Sequence, residues 1–113
     1  MEQANLEKIA TLVKRWGVPL QLILTMEESA ELTKLCSKLL RGPVQRPDIV
    51  DNLADTYVML QTMCLIYGVN SQELEAVAGN KLNIGLSKKG WEVLEEEAKG
   101  IKEEQPSEEE KKE

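Results

Sequence analysis

Glycine and proline cut this chain into lengths that suit helices. The first runs from about Leu6 to Trp16, with Leu6, Ile9, Ala10 and Val13 at helical spacing, and stops at Gly17. Pro19 fits a first helical turn, and a long helix then extends to about Leu40, where Arg41, Gly42 and Pro43 end it. The segment Pro43 to Pro47 reads as non-helical. Asp48 opens a third helix that lasts to Tyr67, with Gly68 as its stop, and Ser71 caps a fourth, Gln72 to about Leu82, which weakens from Gly85 to Gly90. No alternation of apolar and polar residues lasts long enough for a strand, and no internal repeat is present. The expected fold class is all-α, a four-helix bundle whose two long helices, joined by a short loop, pack antiparallel.

A chain of 113 residues has room for one small core. Residues 1–91 are expected to form the helical domain and residues 92–113 an acidic tail, helical at first and disordered later. The tail holds ten acids against four lysines and so carries the whole net charge of −6, while the body balances ten acids with ten bases. A neutral body lacks the basic bias of a nucleic-acid binder. No run of about 18 apolar residues suggests a membrane span, and the start does not read as a secretory signal. Cys36 and Cys64 sit in apolar helical runs, far from any further cysteine, and read as reduced core residues of a cytoplasmic protein. Both long helices are apolar on more than one side, which predicts burial of part of their surface by a second subunit. With no histidine, any hydrolysis must run on carboxylates, a metal or a lysine.

The residues that carry chemistry lie in Met26-Glu27-Glu28-Ser29-Ala30-Glu31-Leu32 and in Asp48-Ile49-Val50-Asp51-Asn52-Leu53-Ala54-Asp55. At about 100° per residue, Leu24, Glu28, Glu31, Leu35 and Leu39 share one stripe of the second helix. Asp48, Asp51, Asn52 and Asp55 share a stripe of the third that continues as Met59, Thr62 and Ile66. Carboxylates on a core face are costly unless protonated, paired or bound to a cation. Mg²⁺ is the hard ion suited to several carboxylate oxygens and a phosphate, and Mn²⁺ could replace it. Competing readings stay open: Asp48 and Asp51 suit a first helical turn, and Glu27 suits a solvated face or a pair with Lys34 or Arg15.

This pattern resembles the MazG-like all-α nucleoside triphosphate pyrophosphohydrolases, in particular their small phage-like or Gram-positive branch. Glu28-x-x-Glu31 matches the family's first Glu-x-x-Glu, and Asp55, within Leu53-Ala54-Asp55, matches the Asp that closes its second Glu-x-x-Asp. Leu39-Leu40-Arg41-Gly42 adds to the likeness, which covers roughly residues 18–91. One position departs: Asn52 stands where the family's second-motif Glu belongs, with Asp51 a neighbouring substitute.

The resemblance implies cleavage of a nucleoside triphosphate to a monophosphate and pyrophosphate. Glu28, Glu31 and Asp55, with Asn52 or Asp51, would hold Mg²⁺, and Glu27 or Glu28 would activate water. Lys34 and Lys38 either meet phosphate or pair with Glu27, Glu31 or Glu75. Lys81 and Asn83, followed by Lys88, Lys89 and Trp91, resemble the family's nucleotide-facing fourth helix, although solvated lysines explain them equally. Trp16 either stacks on a base or packs at a helix end. The alternatives are a catalytically weak nucleotide- or metal-binding homologue and a plain helical oligomerisation module.

Overall fold

The computed structural model describes residues 1–87, 92 and 95–100. The helices run in the order α1 (Gln3–Trp16), α2 (Val18–Arg41), α3 (Arg46–Tyr67) and α4 (Ser71–Gly85). Glu92 and residues 95–100, in the expected tail, are helical too. Among the described residues there is no strand, and the protein is all-α. Lys88, Lys89, Gly90, Trp91 and tail residues 101–113 lie outside the described residues. The chain divides into two compact units, Met1–Asn70 and Ser71–Glu113.

The joints explain the helix ends. Gly17 has φ 84°, a left-handed value that side chains avoid. Its N–H bonds the Val13 carbonyl at 2.8 Å and its own carbonyl accepts the Gln21 N–H at 3.4 Å, so one residue closes α1 and opens α2. Gly42, by contrast, has φ 169°, ordinary extended backbone. What stops α2 there is Pro43, which disfavours the helical region for the residue before it. α3 begins at Arg46, two residues before the expected Asp48. Proline lacks only an N–H that a first turn leaves unused, so Pro47 sits inside the helix while the Gln45 carbonyl accepts Asp48 and Ile49 N–H groups at 3.0 and 3.3 Å. α3 ends in a Schellman motif: Gly68 is left-handed at φ 65°, its N–H bonds the Leu65 carbonyl at 3.5 Å, and the Val69 N–H bonds Cys64 at 2.9 Å.

Within Met1–Asn70, α2 packs most extensively on α3, and α1 lies against both. Two contacts give the direction of the main seam. The Thr25 hydroxyl meets the Met59 sulfur at 3.7 Å, and the Asn52 amide donates to the Glu31 carbonyl at 3.1 Å. Numbers fall on α2 as they rise on α3, so the pair is antiparallel, as the short loop predicts.

The seam follows heptad spacing. On α2 it uses Gln21, Leu24, Thr25, Glu28, Leu32 and Leu35; on α3 it uses Ile49, Asn52, Thr56, Met59, Met63 and Ile66, all buried or half-buried. It is unusually polar. Among the described residues of this unit, the buried apolar side chains are Ile9 of α1 and Leu35 of α2, joined by the polar Gln21 at 4 % and Thr62 at 2 % exposure. The hydroxyls of Thr25, Thr56 and Thr62 turn back to the carbonyls of Gln21, Asn52 and Val58 at 2.8, 3.1 and 2.7 Å, so they enter the interface already satisfied.

Three helices do not cover what the sequence offers. The expectation that both long helices are buried is corrected for the single chain: Ile23, Met26 and Leu40 of α2 and Val50, Leu53, Tyr57, Leu60 and Tyr67 of α3 are exposed. Cys36 is exposed and Cys64 half-buried, so neither is the core residue expected, and Trp16 is exposed as well. None of these residues is among those of the seam. In the second unit, α4 exposes Leu74, Val77, Leu82 and Ile84.

Candidate functional site

Glu28 occupies the middle of the α2 stripe that faces α3, with Leu24 and Thr25 before it and Leu32 and Leu35 after. The register that sets Asn52 against Glu31 sets Asp55 level with Glu28, one turn along each antiparallel helix. Glu28 is half-buried, whereas Glu27, Glu31, Asp51 and Asp55 are exposed at the borders of the same seam. The stripes expected from spacing are therefore shifted by part of a turn. Asn52, not Asp51 or Asp55, takes the seam position on α3, and the acids flank it.

The electrostatics converge on Glu28. Burial pushes its carboxyl above the ordinary value of 4.5, and the carboxylates of Asp55, Glu31, Glu27 and Asp51, in that order, push it further. No cation figures among the charges acting on it. The four neighbours come from both helices, so the crowding follows from the fold as well as from a local run of acids.

Beside this acid lies an unsatisfied polar atom. The Asn52 side-chain nitrogen is committed to the Glu31 carbonyl, which leaves its Oδ1 pointing elsewhere, buried and without a hydrogen-bond partner. A buried carbonyl left unpaired costs on the order of 1–3 kcal/mol. In the sequence, Asn52 stands out only as a departure from a family motif. The signal for its seam position is the spacing Ile49, Asn52, Thr56, Met59.

The remaining candidates fall in two places. Lys34 and Lys38 are exposed on the flank of α2 that continues from Glu27 and Glu31, at spacings of four, three and four residues. Lys81 and Asn83 are exposed on α4, in the second unit. Asp51 borders a shallow surface hollow with Arg46, Pro47, Val50 and Ala54. Among the described residues, no three Asp, Glu, Cys or His side chains are gathered tightly enough to hold an ion as they stand. What the seam brings together is an acidic field centred on Glu28 and one free carbonyl oxygen, on a backbone that holds their relative register. No described helix is long and apolar enough to cross a membrane.

Comparison with protein-family models, with curated proteins and with solved structures gives no match for this chain.

Proposed function

We propose that this protein is a Mg²⁺-dependent nucleoside triphosphate pyrophosphohydrolase of the MazG-like kind. It works in the cytoplasm as a homodimer or homotetramer of four-helix bundles and converts (d)NTP and water to (d)NMP and pyrophosphate. The observation that carries this reading is the state of Glu28: half-buried, raised in pKa by burial and by four carboxylates from two helices, with no cation to offset them. A fold gains nothing by keeping such a cluster for itself.

Carboxylate and amide oxygens are the donor types that suit a hard divalent ion. Carboxylate oxygens of Glu28, Glu31 and Asp55 would hold it, and the orphaned Asn52 Oδ1 is a neutral oxygen of the kind Mg²⁺ accepts, with Asp51 a further donor at the edge. The ion, when bound, offsets phosphate charge and lowers the pKa of a water beside it. Glu27, exposed one residue before Glu28, or Glu28 itself, takes the proton from the attacking water. Lys34 and Lys38, on the same helix as Glu28 and Glu31, receive the outer phosphates. The antiparallel seam supplies the positioning, since Glu28 and Asp55 ride on rigid helices whose register the Asn52–Glu31 bond fixes.

One observation favours a second reading. Asn52 is uncharged and uses its amide to tie α3 to the Glu31 backbone, a structural task that a glutamate there could not perform. A homologue that binds metal and nucleotide with little turnover accounts for this. Release of pyrophosphate from a panel of canonical and modified (d)NTPs with Mg²⁺ separates the two. The hydrolase reading expects at least one substrate to be cut, with a loss of about 100-fold or more in Glu28→Gln. Metal-dependent nucleotide binding without pyrophosphate supports the weak homologue. Neither binding nor turnover leaves a helical oligomerisation module.

A further inference from the structure

α3 carries two heptad stripes one residue apart. The stripe in the seam holds Asn52 and Thr56. The stripe beside it, Val50, Leu53, Tyr57, Leu60, Cys64 and Tyr67, is more apolar, yet five of its six members are exposed and Cys64 is half-buried. At about 1.5 Å per residue it runs for about 27 Å along the helix. A stripe of this length and spacing meets the requirements of a knobs-into-holes seam.

The order of side chains along it selects the occupant. Read backwards, the stripe complements itself: with two copies antiparallel and position numbers summing to 117, Val50 faces Tyr67, Leu53 faces Cys64, and Tyr57 faces Leu60. Each layer then joins one larger and one smaller side chain, as close packing requires. Parallel pairing would set tyrosine on tyrosine twice and place Asp48, Asp51 and Asp55 against their own copies. The antiparallel arrangement lays that acidic half beside residues 56–67, which contain no charge, and opposes the helix dipoles. The flanking positions Ile49, Ala54, Thr56, Gln61 and Met63 are also uncharged, so nothing repels the approach.

We infer that the occupant of this stripe is the same stripe of a second copy, paired antiparallel about a two-fold axis near residues 58 and 59. The pairing gives the proposed oligomer a specific face and direction. It requires no metal and stands apart from the hydrolase reading.

Disulfide trapping tests it on the full chain. In a Cys36→Ser background, Cys64 faces leucine across the axis, and mild oxidation yields no covalent dimer. Adding Leu53→Cys places a new thiol opposite Cys64 on each side of the axis, and oxidation yields a dimer linked between those two positions; within one helix the two sit too far apart to bridge. Independently, Tyr57→Glu, at an exposed position, halves the mass seen by light scattering and keeps the helical circular dichroism. Cross-linking through Cys64 alone would overturn the direction and register. A wild-type chain monomeric at micromolar concentration, or a Leu53→Cys variant that oxidises without cross-linking, would overturn the pairing itself, as it would if the stripe were covered within one chain.

Discussion

Two stretches of the α2–α3 seam bury polar groups in opposite ways. Around Thr25 and Thr62, each hydroxyl closes on a carbonyl of its own helix, and the interface there makes no further demand. Further along the same seam, Glu28 sits among four other acids, and the Asn52 Oδ1 has no partner at all. Both stretches belong to the same two helices in the same packing. The difference shows that polarity inside a helix pair is tolerated where it is satisfied locally. Around Glu28 and Asn52 it is not satisfied locally, and there the same packing leaves a raised carboxyl and an unpaired carbonyl oxygen.

The comparison can be broken from either side. The largest effect is expected at the apolar end: Leu35→Ala removes one of the two buried apolar side chains among the described residues and should lower stability by about 2–5 kcal/mol in chemical denaturation, with or without Mg²⁺. If the loss depended on metal, the two stretches would not be separable. Asn52→Glu should act in opposite directions in two buffers. In EDTA it adds a sixth acid to the cluster and lowers the melting temperature; with Mg²⁺ it adds a charged ligand and enlarges the metal-induced rise. A variant whose response to metal is unchanged or weaker would mean that this position does not face the ion.

Glu28→Gln sharpens the electrostatic half. A carboxyl raised above its unfolded value favours the fold fully below about 4.5, and that contribution is lost as pH rises through the folded value. Above that range and without metal, the crowded Glu28 carboxyl therefore costs stability, and Glu28→Gln should melt higher than wild type in EDTA. The smallest effect belongs to Thr62→Val, which exchanges a locally satisfied hydroxyl for a methyl group. A change within about 1 kcal/mol is expected, since the Val58 carbonyl keeps its helical partner.

Much of the fold was legible because its punctuation is local. Gly17 and Gly68 hold left-handed conformations, and the helices stop where those residues stand. The error at α3 arose from treating Pro47 as a barrier when a first turn admits it. Burial was less legible. Helical periodicity tells which residues share a side, but on α3 two stripes one residue apart both qualify, and the more apolar one faces out of the single chain. For the candidate site, spacing put Glu28 on a core stripe of α2 and Asp55 on one of α3, and the family resemblance, not spacing, set the two together. Spacing did not reveal that Asn52 takes the buried position while Asp51 and Asp55 flank it, because a small rotation of the helix about its axis decides that. The free Asn52 Oδ1 depends on a bond to the other helix and had no local signal.

The most direct measurement is the melting temperature of wild type and Glu28→Gln as Mg²⁺ is titrated after EDTA treatment. A ligand specific for the folded state adds about 2.7 kcal/mol at 100 times its dissociation constant. The wild type should therefore rise by several degrees and saturate, while Glu28→Gln starts higher and stays nearly flat. Equal responses in the two proteins, or none in either, would contradict the claim that the acids of this seam are held for a cation.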